Sequence, residues 1–240
     1  MNISNPVLFA IFLSGLSGIC PPGGVIRAEV NTPGSSAEQR LTKSAEALQS
    51  FRRAAPDAAQ KLLDQAICVG VLPRRDADQT DAAEKGFVSC RSGIAAAFSD
   101  PAAISIRGGG VYWPVAGQAM DLILMTIDPS MISVFSSAEE LLGTDARTAP
   151  GALQADQASQ QSRDAVILTY EQSSTGISGI NIAGSTIGED RATNAALYGN
   201  DLSNSAILTR RAAKKSAAVE AFVGALPGSG PAQTGEGISR

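Results

Sequence analysis

There is no histidine among the 240 residues of this chain. That removes the commonest general base at neutral pH, the Ser-His-Asp arrangement and histidine metal ligation together. Cysteine is scarce too, at three residues. Cys68 and Cys90 cannot close a four-ligand zinc site by themselves. Aromatic residues make up only 5%, so small side chains must fill much of the interior. Cations are outnumbered, 19 against 23 acidic residues, for a net charge of −4. A nucleic-acid binder shows a strongly basic balance, which excludes that class here. Contact with a membrane or a phosphate group would need a local basic patch, because the global field points the other way. Beyond the N-terminus, no apolar stretch approaches the roughly 18 residues of a membrane helix.

The motifs of common chemistries are missing as well. Gly184-Ser185-Thr186-Ile187-Gly188 is not a nucleophile elbow, because the serine directly follows the first glycine. Gly108-Gly109-Gly110 has no lysine after it to reach a phosphate, and reads as a strand distortion. Asp121 is a lone carboxylate in an apolar run, read as a cap for the N–H groups of a neighbouring loop rather than as an acid or base. No catalytic residue, metal site or cofactor is expected.

What is present begins with an apolar run of 13 residues, Val7 to Ile19. That is the length of a secretory signal core and too short to span a bilayer. With Ile26-Arg27-Ala28 after it, residues 1–28 read as a signal peptide cleaved after Ala28. Cys20 offers a lipoprotein alternative, although Ile19 stands where that signal has a small residue. The expected localisation is exported, periplasmic or secreted, and peripheral at a membrane. Cleavage would leave Cys68 and Cys90, an even pair that favours a disulfide in an exported chain; two buried free thiols are the other reading.

Residues 29–36 read as a linker and Ser36 as a helix cap. Leu41, Ala45, Leu48, Phe51 and Ala55 recur at helical spacing, and Pro56 restarts a second helix carrying Leu62, Leu63 and Ala66. From residue 67 the period changes. Strands are expected at 67–73, 86–91, 103–113 and 120–127, with a charged loop at 74–85. Residues 143–163 read as an extended crossing without a strong element. A β pair follows at 164–172 and 176–187, joined by a turn at Ser173-Ser174-Thr175. A short helix at 192–199 ends on a glycine cap. The last helix is expected at 211–226, with Val219, Phe222, Val223 and Leu226 inward, and 227–240 as a disordered tail. This order predicts an α+β domain: N-terminal helices packed on a mostly antiparallel β-sheet or partial barrel, with a C-terminal helix.

Basic residues cluster at Arg52, Arg53 and Lys61, at Arg74-Arg75, and at Arg210, Arg211, Lys214 and Lys215. Solvated charge explains such groups by default. Alternatively, Arg210, Arg211, Lys214, Lys215, Arg52, Arg53 and Lys61 form a patch for anionic phospholipid, where each cation near a membrane surface contributes about 1 kcal/mol.

The order of short signatures adds to this. CVGVLP at 68–73 and GFVSCR at 86–91 precede FSDPAAISIRGGGVYW at 98–113, AGQAMDLILM at 116–125 and LLGTDARTAPG at 141–151. YEQSSTGISGINIAGSTI at 170–187 and NAALYG at 194–199 complete the series. This succession resembles the SYLF domain, a family known for lipid binding, whose yeast and animal members are tied to actin and endocytosis. It covers about residues 41–226. Phe98-Ser99-Asp100-Pro101, Gln118 with Asp121, Leu142-Gly143 with Asp145, Tyr170, Asn194 and Tyr198-Gly199 fall on its motifs. Cys68 and Cys90-Arg91 are similar to bacterial members. The family's basic turn is Gln172-Ser173-Ser174-Thr175-Gly176 here, with no cation. The resemblance implies a SYLF-like domain over 37–226 that binds anionic lipid or acts at a membrane surface of the cell envelope, without catalysis. The alternative is a structural or protein-binding envelope module without lipid affinity, its protein partner unspecified.

Overall fold

The fold is taken from a computed structural model. It describes residues 33–74, 83–108, 120–142, 148–153, 167–174, 176–209 and 216–228. The expected signal peptide, Cys20 and the basic run 210–215 lie outside the described residues.

Helix α1 (Pro33–Ala54) carries the expected stripe, with Leu41, Ala45, Leu48 and Phe51 buried. It starts within the stretch read as linker, since proline is tolerated in a first helical turn. Ala55 breaks the helix and Pro56 restarts it as α2 (Pro56–Gln65), which buries Ala59 and Leu63. Strand β1 (Cys68–Leu72) is buried at all five positions. Side chains alternate between the faces of a strand, so β1 is covered on both sides.

Eight further strands complete one sheet: β2 (Ala83–Cys90), β3 (Ala102–Gly108), β4 (Asp121–Thr126), β5 (Glu139–Leu141), β6 (Thr148–Pro150), β7 (Ile167–Ser173), β8 (Gly176–Gly179) and β9 (Ser185–Glu189). Their spatial order is β5-β9-β3-β2-β1-β4-β7-β6, with β8 also on β7. Strands β6 and β8 share the outer edge of β7, β6 against Ile167–Thr169 and β8 against Tyr170–Ser173. Only the β6–β7 pairing is parallel among the described residues, so the sheet is mostly antiparallel as expected, and open. Gly86 in β2 is needed for close approach: a Cβ there would fall 2.1 Å from the carbonyl oxygen of Val71.

Short helices dress the sheet: α3 (Ile132–Ser136) after a 3-10 turn at Pro129–Met131, α4 (Arg191–Tyr198), α5 (Asn204–Thr209) and α6 (Ala217–Ala225). Helix α4 ends on Gly199 at φ 73°, the left-handed cap that glycine adopts without strain. Helix α6 packs on α1 and buries Val219 and Phe222, while Val223 is half-buried.

Several boundaries differ from expectation. Strand β2 begins inside the charged stretch, because Ala83, Glu84 and Lys85 pair with Arg107, Ile106 and Ser105 on a half-buried part of the sheet. The crossing at 143–163 contains β6, a strand made by pairing rather than by its own pattern. The single strand read at 176–187 is two. The chain leaves β7 after Gly179, turns through Gly184 at φ 81°, and enters β9 against β3 on the other side of the sheet. Helix α6 begins at Ala217, capped by the Ser216 hydroxyl accepting from the Val219 N–H at 3.4 Å. Strand β5 and helices α3 and α5 had no sequence expectation.

Candidate functional site

The most regular positions of the motif series turn out to hold the fold. Asp121 accepts the Arg74 backbone N–H at 2.8 Å and the Arg74 guanidinium at 3.0 Å, the capping role its sequence context suggested. Ser99 Oγ accepts the Cys90 N–H at 3.1 Å, and Ser89 Oγ donates to the Ser99 carbonyl at 2.6 Å. Tyr198 donates to the Pro101 carbonyl at 2.5 Å. Asn194 accepts the Ala103 N–H at 2.8 Å and donates to Asn204 Oδ1 at 2.8 Å; Asn204 donates on to the Phe135 carbonyl at 3.1 Å. Tyr170 is fully buried and meets the Phe51 ring edge-on at 5.5 Å. Each of these side chains pins one element to another, and their polar atoms face protein. Burial holds both tyrosine hydroxyls neutral: it pushes the pKa of Tyr170 up to about 12, and that of Tyr198 further, helped by the Asp100 carboxylate.

Cys68 and Cys90 face each other across β1 and β2 and form a disulfide, with Cα atoms 4.0 Å apart. A cavity of about 320 Å³ beside Cys90 is lined by Arg91, Phe98, Ile132 and Leu208 among others.

Accessible charge gathers on α1. Lys43, Glu46, Ser50 and Arg53 lie at helical steps along one face of α1. With Pro73, Arg74 and Asp121 they line a cleft of about 370 Å³. A second cleft, of about 410 Å³, opens at the α1–α2 break between Gln49, Arg52, Arg53, Pro56 and Gln60. Arg53 borders both, is exposed, and makes no hydrogen bond or ion pair among the described residues. Arg52 has a different part. Its guanidinium donates to the Ala225 carbonyl at 3.2 Å and to Gln60 Oε1 at 3.0 Å, tying α1, α2 and the end of α6 together. Lys61 is exposed on α2 and borders neither cleft. Arg210, Arg211, Lys214 and Lys215 lie outside the described residues.

The sequence pointed to Arg53 but not to the residues that frame it. Nothing in the sequence marks Lys43, Glu46 and Ser50 except their offsets of ten, seven and three residues from Arg53, which put them on one helical face with it. Arg74 was visible as a cation, but its pairing with Asp121 joins positions 47 residues apart. Among the described residues no group of three His, Cys, Asp or Glu side chains could hold a metal ion. No helix among them is long and apolar enough to cross a membrane.

A protein-family model described as Las17-binding protein actin regulator matches residues 107–228, just over half of the chain. The chain belongs to this family, the SYLF family. The matched span runs from the end of β3 through α6 and leaves out α1, α2, β1, β2 and the disulfide. No curated protein matches the chain. SYLF domains are binding domains, and the structural roles of Asp121, Tyr170, Asn194 and Tyr198 explain the pattern of this one as a scaffold.

Proposed function

We propose that this SYLF domain binds anionic lipid at a membrane surface of the cell envelope, and does so by recognition without catalysis. The observation that carries the reading is the unengaged positive charge of Arg53 and Lys61 on helices α1 and α2. Arg52 at the same place links these helices to α6, the helix that follows the basic run at 210–215. Export is supported by the apolar run Val7 to Ile19 and favoured by the Cys68–Cys90 bridge, because disulfides persist in oxidising compartments.

With a net charge of −4 overall, attraction to an anionic surface is local and screened by salt. The test is co-sedimentation with phosphatidylglycerol-containing vesicles at low and high ionic strength. Binding at low salt is expected, lost at high salt, and weakened when Arg210, Arg211, Lys214 and Lys215 are all replaced by Ala. A protein that ignores anionic and neutral vesicles alike at low salt has no such function. The second reading, a protein-binding envelope module, draws on the family description, which names binding to a protein. Failure to bind any vesicle would favour it.

A further inference from the structure

The cleft between α1 and the β1–β4 end of the sheet is built for more than surface attraction. One wall is a ladder of α1 side chains: Lys43, Glu46, Ser50 and Arg53. The opposite wall is Pro73 and the Arg74–Asp121 pair. Asp121 is buried and satisfied by the Arg74 backbone and guanidinium, so its charge is already answered. Arg74 uses Nε and Nη2 for that, and its side chain stays half exposed at 49%. Its Nη1 has no acceptor among the described residues.

Two opposite charges in this cleft are unanswered. Neither Glu46 nor Arg53 makes an ion pair or hydrogen bond among the described residues. They stand seven residues apart on the same helix, about 10 Å along its axis at 1.5 Å per residue. Two long side chains across that span cannot both reach one small ion. They suit a ligand with an anionic end and a cationic end.

A third feature sits behind them. Gln172 is buried opposite Asp121 in the β4–β7 pairing, and its Nε2 donates to Ser50 Oγ at 2.7 Å. Ser50 thus has its acceptor side occupied, and its own proton has no acceptor among the described residues. The Gln172 Oε1 is buried without a partner. Unpaired buried amide oxygens are costly and rare, and this one lies one hydrogen bond behind the cleft wall. With Ser50 Oγ accepting from Gln172, its hydroxyl proton is left for donation to a ligand oxygen.

Arg53, Arg74 Nη1 and the Ser50 hydroxyl make a donor set for phosphate oxygens, with guanidinium the group that suits them best. Glu46 supplies the acceptor for an ammonium. We propose that this cleft binds the headgroup of a zwitterionic phosphate ester of the phosphoethanolamine class, phosphate toward Arg53 and Ser50, ammonium toward Glu46. A cleft of about 370 Å³ has room for such a group. This adds selection of a zwitterionic headgroup to the attraction for an anionic surface, and rests on the lipid reading only for the membrane as the source. Free phosphate esters share the chemistry.

The test uses the purified protein and three soluble probes, each titrated by NMR: glycerophosphoethanolamine, glycerol 3-phosphate and inorganic phosphate. Glycerophosphoethanolamine should bind tightest and perturb the amides of α1 and of Arg74 and Asp121. Arg53→Gln should weaken all three by about tenfold, the loss of one charge-assisted pair. Glu46→Gln should weaken glycerophosphoethanolamine about fivefold and leave glycerol 3-phosphate unchanged. Both positions are exposed, so the variants should fold. No perturbation in the cleft at millimolar probe, or binding that both variants leave intact, overturns the proposal. Vesicles in which phosphatidylethanolamine replaces phosphatidylcholine test the membrane source. Vesicle binding without headgroup binding would sink the cleft and spare the lipid reading. Headgroup binding without vesicle binding would support the cleft with a soluble ligand and remove the membrane.

Discussion

The Arg91 guanidinium lies over the Phe98 ring, 4.7 Å from its centroid. Its N–H groups go to backbone carbonyls: Ala66 at 2.7 Å, Asp64 at 2.6 Å, Leu63 at 3.4 Å and Ile94 at 2.7 Å. Three of these belong to the end of α2, where a helix has carbonyls without intrahelical partners. Arg91, the residue that follows β2, therefore caps α2 and fixes the loop it opens. Burial lowers its pKa, with Asp64 acting the other way, but an arginine stays charged. A lysine cannot reproduce a planar fork serving four acceptors. Arg91→Lys should cost about 3 kcal/mol of stability, since bonds from charged donors contribute roughly 1.5–3 kcal/mol each and do not add. Denaturant unfolding measures it. Equal midpoints for the two proteins would mean that the capping is dispensable.

The disulfide lies next to that cap. Cys68 and Cys90 are direct partners in the β1–β2 register, separated by 22 in sequence. On the chain-entropy model, closing such a loop stabilises the fold by about 3 kcal/mol. Thiol titration of the denatured, unreduced protein should find only Cys20, or none once residues 1–28 have been removed. Three free thiols in the uncleaved chain would refute the bridge. Replacing both Cys68 and Cys90 by Ala should lower stability by about the same 3 kcal/mol.

How far the sequence carried the fold follows from how local each signal is. The α1 stripe, the Pro56 restart, β1, β4 and the Gly199 cap are legible, because each depends on residues within one element. The α+β class follows from their order. What escaped depends on partners far along the chain. Strand β6 exists because β7 offers an edge, and β9 is severed from β8 because β3 recruits it. Arg91 reads as one half of a Cys-Arg signature, but its acceptors come from α2. The cleft was half legible. Arg53 stood out as a cation, whereas Glu46 and Ser50 matter only because Arg74, Asp121 and Gln172 are brought opposite them.

Asn194 and Asn204 form a buried polar link between β3, α3, α4 and α5. Both are fully buried, and their side chains satisfy Ala103, Leu202, Phe135 and each other. Asn194→Leu keeps the size but strands the Ala103 N–H, the Asn204 side-chain oxygen and the Leu202 carbonyl. The expected cost is about 3 kcal/mol, the desolvation of these unpaired groups. Asn204→Leu should cost a similar amount. The double variant should cost less than the sum of the singles, because each single already breaks the shared bond. Additive losses in a double-mutant cycle would show that the two asparagines act independently.

Alkaline stability should be set by Tyr170 and Tyr198. In the unfolded chain both ionise near pH 10. In the folded chain burial pushes the Tyr170 pKa up to about 12 and raises that of Tyr198 as well, with the Asp100 carboxylate adding to the effect. Between the unfolded and folded values, the unfolded state binds fewer protons, so stability falls as pH rises. The contribution is fully present below pH 10 and is lost through the folded pKa. Tyr170 alone accounts for a loss on the order of 3 kcal/mol by about pH 12. Tyrosinate absorbance should therefore show these two rings ionising only as far-UV circular dichroism is lost. Replacing both by Phe should flatten the decline above pH 10, while removing the Tyr198 bond to Pro101 costs about 1 kcal/mol at neutral pH. If all the tyrosines titrate near pH 10 with the dichroism intact, these two hydroxyls are open to solvent and the packing around Phe51 and Pro101 is not as described.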